Sequence, residues 1–156
     1  MGERREDHPR VGLAFVLCLC GFVGLVLLLN QYVVPFLGPF DPAVTGTRLR
    51  WVAIALFVPA TVEELIFRAP LLRHPRPAAM ILSLTAFVMW HPLQALFRPG
   101  FAAIFTNWGF LFAACALGAC ATVLTIYSHR LWPAIIFHWA AIAGWILLYG
   151  GPAIAQ

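Results

Sequence analysis

Five stretches of this chain, at residues 11–34, 51–72, 77–97, 107–127 and 132–149, are apolar over about the length that crosses a bilayer. Roughly 20 residues of helix span about 30 Å of hydrocarbon. Lipid offers no partner to a backbone N–H or C=O, so a spanning segment closes its hydrogen bonds within a helix or a barrel. No barrel-type alternation of apolar and polar residues appears, and each stretch reads as a helix. Composition agrees, with 62% of residues hydrophobic and 10% charged, against about 25% charged in soluble domains. Too little polar surface remains to cover a soluble fold, and 13 Phe with 6 Trp exclude a disordered chain.

The expected fold is therefore an all-α integral membrane protein of about five helices. It forms one polytopic domain over residues 11–156, behind a charged N-terminal cap at residues 1–10. The first run, Val11 to Leu29, exceeds the roughly 7–15 residues of a signal-peptide core, and no A-x-A-like site follows it. It reads as a retained helix. Pro35–Arg50, with three prolines and two glycines, reads as a loop. The net charge is +4, from ten arginines and no lysine. They stand at the ends of apolar runs and form no stripe that would serve nucleic acid. With the N-terminus cytoplasmic, Arg4, Arg5, Arg10, Arg73, Arg76 and Arg130 lie inside, and Arg48, Arg50 and Arg98 outside. Positive-inside counting favours that orientation. Cys18, Cys20, Cys115 and Cys120 lie in apolar runs and read as small helix residues.

Three ionic residues interrupt the second span: Glu63, Glu64 and Arg68 in WVAIALFVPATVEELIFRAPLL. A charge at a helix centre costs about 2.5–3.5 kcal/mol on insertion scales, so intramembrane charges mark function. Glu64 and Arg68 stand four apart, the spacing and order of a helical ion pair. Glu63 lies about 100° round the helix, free to face a cavity. It is twelve residues from Trp51, roughly 18 Å along the axis, which disfavours an interfacial, snorkelling position. The third span holds His91 just before Pro92, where a kink is expected. The fifth holds His138, shortly after Pro133 in the first turn. Taken alone, His91 reads more readily as a packing residue than as a catalyst, and His138 reads equally as either. With helix tilts of about 20°, Glu63, His91 and His138 can share one layer.

Glu63-Glu64-Leu65-Ile66-Phe67-Arg68 resembles the EExxxR motif of the CPBP family, the CAAX proteases and bacteriocin-processing enzymes also called Abi. Phe87-Val88-Met89-Trp90-His91 resembles its FxxxH motif, and Ser128 to His138 the segment leading to its last histidine. The three motifs keep the family's order and cover about half the chain. The resemblance implies a multi-pass protein of a bacterial inner membrane, an intramembrane glutamic endopeptidase without cofactor or metal. Its partner would be a membrane-associated peptide or protein, with a C-terminal sorting signal, a propeptide or a CaaX-like end. Glu63 would activate water, Glu64 and Arg68 would hold their helix, and His91 would help position and deprotonate the water. His138 would donate to the oxyanion. The family's last motif often reads HxxxN, whereas here Ile142 stands four residues after His138. Gln94 or Asn107 is the expected replacement donor.

Other protease chemistries fit less well. Asp7 and Asp41 lie outside the spans, and there is no H-E-x-x-H motif or G-x-S-x-G elbow. Two readings stay open beside hydrolysis by a glutamate: a non-catalytic binding or immunity protein on the same fold, and a zinc hydrolase using Glu63, His91 and His138. Arg73, His74, Arg76 and Arg98 read as anchors of helix ends, or as contacts for an acidic substrate terminus.

Overall fold

The computed structural model describes residues 7–42 and 44–151, and these contain helices and no strand. Residues 1–6 of the expected cap, with Arg4 and Arg5, lie outside the described residues. The first helix, α1, runs Asp7–Tyr32 and so takes in the last residues of that cap. After a loop come α2 (Gly46–Ala55), a wide π-helical turn (Leu56–Thr61), α3 (Val62–Phe67) and a 3₁₀ turn (Ala69–Leu72). Then follow α4 (Pro77–Phe97), a 3₁₀ turn at Pro99–Phe101, α5 (Ala102–Phe105), α6 (Trp108–Ser128) and α7 (Trp132–Tyr149). Four of these helices are long and apolar enough to cross a membrane: Pro9–Tyr32, Pro77–Phe97, Trp108–Ser128 and Trp132–Tyr149.

The expected span at 51–72 is a succession of short pieces rather than one helix, and Pro59 is the reason. A proline pushes the residue before it away from α geometry, and Val58 is extended at φ −131°, ψ 110°. The Thr61 hydroxyl donates to the Leu56 carbonyl, so part of the backbone freed by the break is paired by a side chain. Pro92, where a kink was expected, leaves α4 helical from end to end. Broken backbone within a bundle is tolerated where it is packed by protein or lines a cavity, and both Val58 and Pro59 line one.

The core lies between α4, α6 and α7, around Phe87, Ala114, Leu117, Leu124 and Phe137. Helix α1 lays Ala14, Phe15, Cys18, Leu19 and Phe22 against it and turns Leu13, Leu17 and Leu28 outward. Such outward apolar side chains suit contact with lipid. A second cluster, Val52, Ala55, Ala143 and Ile146, joins α2 to α7. At the far end of α7, Gly150 takes the left-handed conformation (φ 77°) and its N–H closes on the Ile146 carbonyl, a helix end that favours glycine.

Small residues on α6 let it approach its neighbours closely, and Gly118 is where this matters most. A Cβ there would lie 2.7 Å from Arg68 Nη2, 2.8 Å from Leu84 Cδ1 and 2.9 Å from Phe87 Cδ1. Arg68 and Phe87 are fully buried and have no room to withdraw. Gly118→Ala is expected to destabilise the protein by about 1–3 kcal/mol, the usual cost of overpacking. Unfolding of the purified variant in detergent checks this; unchanged stability would show that α6 has slack against α4.

Candidate active site

Glu63 and Glu64 stand at the start of α3, immediately after the break, and both are buried. Consecutive residues on a helix diverge by about 100°, and the two carboxylates meet different partners. Glu64 Oε1 lies 3.5 Å from Arg68 Nη1 and 2.9 Å from His138 Nδ1. Glu63 Oε1 accepts from the Trp90 indole N–H at 3.1 Å. Its Oε2 lies 3.9 Å from His138 Nε2 and has no hydrogen-bond partner among the described residues. His138 thus bridges the pair, one ring nitrogen towards each glutamate.

The second histidine is set by its own helix. His91 Nδ1 lies 3.0 Å from the Phe87 carbonyl oxygen. A carbonyl only accepts, so Nδ1 carries the hydrogen and Nε2 of the neutral ring is an acceptor. Phe87 organises the centre: its ring meets His91 edge-on at 5.0 Å and His138 at 5.7 Å between centroids. The Arg68 guanidinium carbon sits 4.0 Å above the same ring, within the range of a cation–π contact.

Glu63, His91 and His138 all line one cavity of about 430 Å³. Gln94 lines it as well, one turn beyond His91 on α4, and so does Ile142. Ile142 also packs against the apolar cluster between α2 and α7. Asn107 is placed differently from the expected oxyanion donor. Its Oδ1 accepts from the N–H groups of Gly109 and Phe110, and its amide reaches the Pro35 carbonyl. It is the N-cap of α6. Asn107→Ala is expected to lower stability by about 0.5–2 kcal/mol without the roughly 10²–10³-fold rate loss of a missing oxyanion donor. Parallel unfolding and turnover measurements separate the two.

Three features were not foreseen from the residues. Trp90 holds Glu63, and its only sequence signal is adjacency to His91. Glu64 reaches His138 as well as Arg68, across 74 residues of chain. Trp145 lines the cavity with its buried indole nitrogen lacking a partner among the described residues. No group of three or more His, Cys, Asp or Glu side chains among the described residues is arranged to hold a metal ion.

Such an arrangement can present an acceptor to a water molecule on one side and a donor to a developing oxyanion on the other, which is what peptide hydrolysis requires. Residues 45–143, well over half the chain, match the Rce1-like family, described as type II CAAX prenyl endopeptidase Rce1-like. No curated protein and no solved structure matches the chain. The matched segment contains Glu63, Glu64, Arg68, His91 and His138. An all-helical, membrane-spanning chain with these side chains around one cavity therefore belongs to the Rce1-like family, and is a membrane protease of the CAAX type.

Proposed function

We propose that the protein is a metal-independent glutamic endopeptidase that cuts a peptide bond of a membrane-associated substrate, with Glu63 as the base. The observation that carries this is the free edge of Glu63, Oε2, lying 3.9 Å from His138 Nε2 in the wall of the cavity. A water molecule entering there loses a proton to Glu63 as its oxygen attacks the scissile carbonyl. The proton then passes from Glu63 to the leaving amine as the C–N bond breaks. Hydroxyl ends on the new carboxyl group and hydrogen on the new amine.

The surrounding groups divide the remaining work. Trp90 fixes one oxygen of Glu63, which leaves the other for water. His91, whose Nδ1–H is given to Phe87, offers Nε2 as an acceptor and helps orient that water. His138 gives Nδ1–H to Glu64; as an imidazolium it donates Nε2–H to the oxyanion. A carboxylate behind a catalytic imidazole holds its orientation and stabilises its charge. With Ile142 at the expected position of an asparagine, Gln94 is the second donor. The test is hydrolysis of a farnesylated CAAX-type peptide by purified protein in nanodiscs, with Glu63→Gln as the control. Full turnover by that variant would end the assignment.

Ile142 favours one rival, a non-catalytic membrane protein on the same fold. Complementation by Glu63→Ala and His138→Ala distinguishes it, because activity retained in cells would leave no role for hydrolysis.

A further inference from the structure

The cavity that holds Glu63 has further polar residues in its wall. Along α4, Phe87, His91, Gln94 and Arg98 follow one another at intervals of four, three and four residues, and all four line the cavity. That spacing keeps them on one face of the helix. Arg98 closes α4 at its C-terminal end and is the only arginine among the described residues that line the cavity. Its guanidinium makes no hydrogen bond or ion pair among the described residues. The other described arginines do not line the cavity. Arg68 is buried beside Glu64, Arg48 is tied to Asp41, and Arg73 and Arg76 do not line the cavity. Leu27, Leu148 and Tyr149, from α1 and α7, line the same cavity.

We propose that Arg98 binds the free C-terminal carboxylate of the substrate and thereby selects chains by the position of their end. The inference rests on the proteolytic reading of the site. A permanent cation in the wall of a mostly apolar cavity attracts an anion. A planar guanidinium matches the two oxygens of a carboxylate. Seven residues of α4 separate His91 from Arg98, a rise of roughly 10 Å. An extended peptide covers that distance in about three residues. A substrate with its scissile carbonyl beside Glu63 and His138 thus brings a nearby chain end to Arg98. A lipid phosphate at the helix end is the competing anion. The cavity-facing position of Arg98, in line with His91 and Gln94, favours the peptide.

The test compares one farnesylated CAAX-type peptide as the free acid and as the C-terminal amide, in nanodiscs of neutral lipid and of lipid containing phosphatidylglycerol. The protein is expected to prefer the acid by about 10-fold in kcat/KM, chiefly through KM, as for a charge-assisted hydrogen bond. Arg98→Ala should bring the acid down to the level of the amide, and Arg98→Lys should keep part of the preference. Arg98 is exposed, so neither change disturbs the core. Equal turnover of acid and amide by the unaltered protein would overturn the proposal. So would an equal loss on both peptides in Arg98→Ala, or a loss that follows phosphatidylglycerol content instead of the peptide terminus. Binding of both peptides to Glu63→Gln separates this from the reading it rests on. Acid-selective binding without cleavage by the unaltered protein would sink the protease and keep the anchor; cleavage without acid-selective binding would do the reverse.

Discussion

Glu63→Gln is expected to lower turnover of a membrane-tethered peptide roughly 10³-fold, within the range for loss of a general base, while the bundle stays folded. Glutamine keeps the size of the side chain and the oxygen that accepts from Trp90 at 3.1 Å. What it loses is the second carboxylate oxygen, which lies 3.9 Å from His138 Nε2. An amide nitrogen there can neither accept a proton from water nor return one to the leaving amine. Stability should hold or rise, because a buried charge is removed and its neighbours Glu64 and Arg68 still have each other. The measurement is kcat/KM on the farnesylated peptide, alongside thermal unfolding of the same preparation. Loss of both activity and fold would mean that Glu63 is chiefly structural. Unchanged kcat/KM would remove it from the chemistry.

Much of this centre is legible from local rules. Glu64 and Arg68 are four apart on one helix, and their pairing follows from helical geometry alone. The spans at 77–97 and 132–149 begin with proline in the first turn, a position that suits its missing N–H. The break in the second span also has a local signal, Pro59 in its middle, although the span's hydropathy alone describes one continuous helix. Helix α4 shows the limit of the same rule, because Pro92 does not interrupt it.

Contacts between helices were not legible. Nothing local tells that the side of α3 carrying Glu64 turns towards α7, where His138 waits 74 residues later. The indole of Trp90 is likewise aimed by the packing of α4 against α3, and apolar periodicity carries no information about where one N–H ends. Asn107 shows the converse. Its place just before an apolar helix is an N-cap signal that local rules supply. The structure shows the cap: two backbone N–H groups already occupy its side-chain oxygen.

The second large effect concerns the ion pair behind the site. Arg68 and Glu64 have no exposed surface, and Arg68 Nη1 lies 3.5 Å from Glu64 Oε1. Arg68→Met removes the cation and leaves the carboxylate hydrogen-bonded to His138. Breaking a buried pair from one side costs about 3–5 kcal/mol, because a charge is left without compensation. The same change removes the guanidinium from the face of Phe87, against which His91 and His138 also rest. Glu64→Gln in the Arg68→Met background removes the orphaned charge, and most of that stability should return. Neighbours that share an interaction are non-additive in this way. Activity should not return with it. A neutral amide in place of the Glu64 carboxylate cannot stabilise His138 as an imidazolium, so turnover should stay roughly 10²–10⁴-fold down, the scale on which a carboxylate behind a catalytic histidine matters. Unfolding of the two single variants and the double variant, with turnover of each, separates the folding role of the pair from its catalytic one. Additive stabilities would show that Glu64 and Arg68 do not depend on each other. Restored turnover in the double variant would show that His138 needs no charge behind it.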